Sequence, residues 1–146
     1  MIKATFLDDY YIERGAINSS SAINAYLVKD KVHCSTACLA IAQKTDLFLS
    51  SKKEPVVVKV AWRKDAHAGK GIIENLFKFL NEELNLALIS DYTQSAQTKK
   101  VWSKFIEILD VKTVDMSTSS VFTLDKDLIN VDPRRFAMIV DSSFYK

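Results

Sequence analysis

Trp62-Arg63-Lys64-Asp65-Ala66-His67-Ala68-Gly69-Lys70-Gly71-Ile72-Ile73-Glu74-Asn75-Leu76-Phe77 is the stretch on which the fold turns. The chain has three glycines, and two of them, Gly69 and Gly71, fall inside it. Upstream, Val56 to Trp62 reads as a strand. Downstream, Ile73, Leu76, Phe77, Leu80 and Leu84 recur at three- and four-residue steps, which predicts a helix from about Gly71 to Leu84. A glycine-bearing turn that feeds a helix exposes backbone N–H groups and the positive end of the helix dipole, and the missing side chains admit a phosphate. Arg63, Lys64 and Lys70 add charge that a pyrophosphate or a 3′-phosphate can use. The alternative is an ordinary strand-to-helix turn with solvated lysines. The turn lacks the Gly-Lys-Ser/Thr ending of a nucleotide P-loop and the three-glycine dinucleotide fingerprint.

Outward from this segment, Leu86 to Ser90 reads as a buried strand. Thr98, Val101, Trp102, Phe105 and Leu109 then form the stripe of a second amphipathic helix, so the local order is strand, helix, strand, helix. Val111 to Asp115, Val121 to Leu124 and Phe136 to Val140 are further strands, with Asp132-Pro133 as the turn before the last. Toward the N-terminus, Ile2 to Leu7 alternates as a strand. Ser19-Ser20-Ser21 offers caps for a helix carrying Ile23, Tyr26 and Leu27 inward. Ala37 to Gln43, Leu47 to Ser50 and Val56 to Trp62, joined by short polar connections, predict an antiparallel meander.

The 146 residues, 48% of them hydrophobic, suit one domain spanning residues 1–146 with a substantial core. The formal charge of +2 is small and both signs are spread along the chain, which gives no general affinity for nucleic acid or an anionic membrane. Asp8, Asp9 and Glu13 with no long apolar run are not the pattern of a secretory signal, and no stretch is long enough to span a bilayer. A cytoplasmic, soluble protein is expected. Cys34 and Cys38, with His33 beside them, are too few and too poorly spaced for a structural zinc site, and read as buried or incidental thiols.

The strand, the Arg-x-x-Gly-x-Gly-like turn, the helix, the strand and the second helix together resemble the central part of the GCN5-related N-acetyltransferase (GNAT) family. The likeness covers about Val56 to Leu109. It implies an α/β (α+β) fold with a mixed, mostly antiparallel twisted sheet, flanking helices and a β-α-β-α core that binds acetyl-CoA or another acyl-CoA as co-substrate. By position in the motif, Ala61, Trp62 and Arg63 would meet the pantetheine arm, and Gly69, Lys70, Gly71 and Ile72 the phosphates. Two positions depart from the family pattern: Ala68 stands for the usual Arg or Gln, and Ile73 for a small residue.

Ser95 takes the place of a frequent Asn, and Trp102 that of a Tyr whose hydroxyl can protonate the departing thiolate. An indole N–H cannot serve as that acid. Ser90-Asp91 with Gln94-Ser95 and Trp102 resembles phage-encoded members of the fold. The titratable groups within reach of an acceptor amine are Asp65, His67, Asp91 and Tyr92, of which Asp91 and His67 are the candidate bases. Direct attack by an amine needs little beyond positioning and an oxyanion donor.

The resemblance therefore implies an N-acyltransferase acting on a small-molecule or protein amine. A second reading is a non-catalytic binding or structural protein of the same fold. A third is a nucleic-acid-modifying relative, with Lys52, Lys53, Arg63, Lys64, Lys99, Lys100 and Lys104 as a basic face.

Overall fold

The computed structural model describes residues 3–7, 9–16, 22–64 and 71–141. In chain order the elements are β1 (Lys3–Leu7), β2 (Tyr10–Ala16), β3 (Ile23–Asp30), β4 (Thr36–Lys44), β5 (Glu54–Arg63), α1 (Ile72–Glu82), β6 (Leu86–Ser90), α2 (Ala96–Ile108), β7 (Lys112–Asp115), β8 (Val121–Phe122), α3 (Lys126–Val131) and β9 (Phe136–Val140). The nine described strands form one sheet in the order β1-β2-β3-β4-β5-β6-β9-β7-β8. All neighbours run antiparallel except β5 and β6, whose parallel pairing requires the crossover that α1 supplies. This is the mixed, mostly antiparallel sheet with flanking helices that the sequence predicts.

α1 buries Ile72, Ile73, Leu76, Phe77 and Leu80. α2 adds Trp102 and Phe105, whose rings meet Phe77 edge-on at centroid distances of 6.1 and 4.8 Å. Both helices share one core with Val56, Val58 and Ala61 of β5 and with Leu86 and Leu88 of β6. Each fully buried aliphatic or aromatic side chain contributes about 1.5–3 kcal/mol. Five on α1 far exceed the roughly 1 kcal/mol of a side-chain cap, so the helix can begin at Gly71 with no capping side chain. Alternate residues of β6 and β9 point the other way, where Ala87, Ile89, Ala137 and Ile139 pack with Leu49 and Val114.

Two expectations are corrected here. Ile23, Tyr26 and Leu27 do not lie on a helix: they belong to β3, in which Tyr26 and Val28 are buried at a period of two. Ser19, Ser20 and Ser21 fall outside the described residues. Leu47 to Ser50 forms no strand. Its alternation is real, with Leu49 buried, Leu47 packed beside it and Phe48 90% exposed, but both edges of β4 are already taken by β3 and β5. The meander is instead built from β1 to β5. None of the described helices is long and apolar enough to cross a membrane.

The corner between β7 and β9 carries a two-pronged charge contact. Arg135 Nε and Nη2 lie 3.2 and 3.0 Å from the two oxygens of Asp115, and Ser117 donates to the same carboxylate from its amide and its hydroxyl. The Arg135 bonds, and then those of Ser117, hold the Asp115 carboxyl well below the usual carboxylate range. A carboxyl depressed in the folded state stabilises above its unfolded pKa of about 4, and that stability is lost as pH falls toward the folded value. The urea midpoint should therefore drop on acidification below about pH 4, and Arg135→Leu should flatten that part of the profile. An unchanged slope in the variant would remove Asp115 from the acid response.

Candidate functional site

β5 pairs with β6 from Glu54↔Leu86 to Val58↔Ser90 and no further. Beyond that point β5 continues to Arg63 with β4 as its partner, through Val60↔Ile41, Ala61↔Ala40, Trp62↔Leu39 and Arg63↔Cys38. Between Ala42↔Val58 and Ile41↔Val60 the register advances two residues on β5 for one on β4, so Lys59 is the bulged residue. The bulge falls where the pairing stops: β6 ends at Ser90 and β5 runs on to Arg63 without it, and this parting of the two parallel strands is the fork.

Side chains close the fork. Lys59 Nζ reaches across to Asp91 and lies 3.3 Å from both carboxylate oxygens, while Thr93 Oγ1 donates to Asp91 Oδ2 at 3.1 Å. Farther along β5, the Ala61 N–H donates to Thr98 Oγ1 at 3.3 Å and the Thr98 hydroxyl donates back to the Ala61 carbonyl at 3.3 Å. Gln97 Nε2 donates to the Arg63 carbonyl at 3.2 Å. Ser95 caps α2 by accepting from the Thr98 amide, and its hydroxyl donates to Thr98 Oγ1. The backbone edge that β6 abandons is thus satisfied by the first turn of α2, as buried N–H and C=O groups must be.

The start of α1 lies at the end of the longer strand. Gly71 is its N-cap at φ 67, a left-handed conformation suited to glycine, and no described side chain caps the helix. The Gly71 carbonyl accepts from the Asn75 amide at 3.0 Å and from Asn75 Nδ2 at 2.8 Å. Over this helix start lies a recess of about 280 Å3 lined by Arg63, Gly71, Glu74 and Lys104. A neighbouring cleft of about 510 Å3 runs from Arg63 and Lys104 along α2 to Lys100 and Gln97. Arg63 Nε is buried and has no hydrogen-bond partner among the described residues. Among the described lining residues, Arg63, Lys100 and Lys104 stand against the Glu74 carboxylate at the positive end of a helix, an arrangement that suits an anion.

Of the residues singled out in the sequence, Arg63, Gly71, Ile72 and Ile73 meet at this recess. Ile73 is in the core cluster, so its branched side chain fills the interior while its backbone belongs to the helix start. Ala61 is buried with its N–H and carbonyl bonded to Thr98, and Trp62 is half-buried. Ser95 is a helix cap, and Asp91 is the partner of Lys59. His67, Gly69 and Lys70 lie outside the described residues. Trp102 is fully buried between Phe77 and Phe105.

The basic residues are spread along α1. Lys53 Nζ bonds Asn81 near the C-terminal end of α1, whereas Arg63 and Lys104 flank its start. Cys38 is buried beside β5 and burial pushes its thiol up to about 12, which leaves it protonated, while Cys34 is exposed.

Sequence reading missed Lys59, Gln97 and the hydroxyl of Thr98. Lys59 carried a signal, as the one charged residue inside Val56 to Trp62. Thr98 sits three residues after the capping Ser95, and its position on an apolar stripe masked the polar work of its hydroxyl.

No protein-family model and no curated protein matches the chain. Among solved structures, the chain is similar to a GNAT family acetyltransferase from Elizabethkingia anophelis with acetyl-CoA bound, at 10% identity and a TM-score of 0.47, covering 96% of this chain and 100% of that one. It is also similar to a GCN5-related glucosamine N-acetyltransferase region of a fungal multi-domain GH3 β-N-acetylglucosaminidase, at 13% identity and a TM-score of 0.39, covering 66% of this chain and 14% of that one.

Proposed function

We propose that this chain binds an acyl-CoA as co-substrate and passes its acyl group to an amine of a small molecule or a protein. One observation carries the reading: a helix start that no described side chain caps stands beside Arg63 Nε, which has no partner among the described residues, at the end of a strand that outruns its parallel neighbour. Phosphate oxygens suit the Ile72 and Ile73 amides together with Arg63, Lys100 and Lys104. The arm that carries the thioester would then follow β5 toward the fork. In the transfer, the amine nitrogen bonds to the thioester carbonyl carbon as the C–S bond breaks, one amine proton leaves to a base or water, and the thiolate takes a proton. Asp91 stands at the fork, but its oxygens already receive Lys59 and Thr93, so a water is the better acceptor unless Lys59 moves.

A second reading, a binding or structural protein without turnover, draws support from Thr98. Its hydroxyl holds both backbone groups of Ala61 that a pantetheine arm would use, and Trp102 supplies no acid.

Calorimetry with acetyl-CoA tests the first reading. A saturable micromolar affinity is expected, and ligand at 100 times its dissociation constant should stabilise by about 2.7 kcal/mol. Arg63→Ala should weaken that affinity about tenfold with little change for a pantetheine fragment lacking phosphates. Absence of binding at millimolar CoA leaves the second reading standing.

A further inference from the structure

Lys59 sets a primary amine at the fork. It is the one charged residue between Glu54 and Arg63 on β5, and it sits at the bulge, where β5 loses β6 as a neighbour. Its Nζ lies 3.3 Å from each oxygen of Asp91, the first residue after β6, so the amine spans the gap between the two strands. Asp91 is 8% exposed, and a carboxylate so buried needs a partner. The Lys59 side chain is 37% exposed, which leaves it open to a reagent from outside.

From Arg63, at the recess over the start of α1, back to Lys59 is four residues of strand, about 13 Å at the usual rise. An extended pantetheine arm covers that distance, so phosphates held at the recess would bring the thioester to the Lys59 side chain. Other lysines are engaged elsewhere. Lys29, Lys44 and Lys112 pair with Glu13, Glu54 and Asp110, Lys53 bonds Asn81, and Lys100 and Lys104 stand at the phosphate end.

Resting on the acyl-CoA reading, we infer that Lys59 is a self-acylation site, its Nζ taking the acyl group from the bound thioester when no outside amine is present. The ammonium first gives one proton to Asp91 or to water. The free amine then bonds to the thioester carbonyl carbon as the C–S bond breaks, and a second proton passes from the nitrogen to the thiolate, leaving an Nε-acyl-lysine and free CoA.

The protein is incubated with acetyl-CoA carrying an isotope-labelled acetyl group and its lysines are mapped by mass spectrometry, while calorimetry on the same preparation reads binding. Label is expected at Lys59, about tenfold faster than at the exposed Lys52 and Lys126, because the bound thioester is held beside it. S-acetyl-N-acetylcysteamine, a thioester without phosphates, should label Lys59 about tenfold more slowly at equal concentration. Lys59→Arg keeps a cation beside Asp91 and should lose the fast label. Saturable acetyl-CoA binding with Lys59 unlabelled, labelled no faster than Lys52 and Lys126, or labelled equally well by the small thioester overturns the inference and leaves acyl-CoA binding intact. No binding at millimolar acetyl-CoA overturns both.

Discussion

Asn81→Leu is expected to lower the unfolding free energy by about 3–5 kcal/mol, a larger loss than most single substitutions cause. Asn81 is completely buried near the end of α1, and its side chain joins four segments. Nδ2 donates to the carbonyls of Leu86 at 2.9 Å and Asp141 at 3.0 Å, while Oδ1 accepts from Lys53 Nζ at 3.1 Å. Ser51 in turn bonds the Asp141 carboxylate, so the connection before β5, the start of β6 and the end of β9 are tied through one amide. Leucine has the right size and no polar atom, and it would leave two carbonyls without this donor and Lys53 half-paired. Each orphaned buried group costs about 1–3 kcal/mol. The urea midpoint should fall with an unchanged m-value. A loss below about 1 kcal/mol would mean that water takes over these carbonyls.

Thr98→Val should move stability and affinity in opposite directions. Valine matches threonine in shape but strips Ala61 of the group that bonds both its N–H and its carbonyl. Those bonds are long, so the expected cost is about 2–3 kcal/mol, toward the lower end for two buried orphans. The same vacancy returns the β5 edge to any ligand that pairs with it. Acetyl-CoA affinity should rise about tenfold in Thr98→Val, measured by calorimetry at a temperature where the variant is fully folded, because the ligand no longer competes with an internal hydroxyl. Reduced stability with unchanged affinity would place the pantetheine arm away from Ala61.

The helices of the central region were legible because their apolar stripes are long: Ile73 to Leu84 and Thr98 to Leu109 each keep a helical period over three turns. β6 and β9 are legible at their full extents, since β6 is buried throughout and Leu86 to Ile89 and Phe136 to Val140 are unbroken apolar runs. The N-terminal strands were harder. β2 contains Glu13, Arg14 and Gly15 and its pattern gives no clear alternation, while Ile23, Tyr26 and Leu27 fit a helical step as well as a strand. α3 buries no residue, so it left no stripe, only its Asp125 cap. The recess at the start of α1 lies at Gly71, where the scarcity of glycine directs attention. The closed fork did not, because which side chain fills an abandoned strand edge depends on packing between β5 and α2, and no spacing along the chain encodes it.

The most direct test of acyl-CoA binding at the fork is an amide-resolved NMR titration of the protein with acetyl-CoA. The proposal predicts saturable shifts at Ala61, Arg63, Gly71, Ile72 and Ile73, with Lys100 and Lys104 following. Absence of shifts at millimolar ligand, or shifts confined to the other flank of α2 around Trp102 and Phe136, would contradict it.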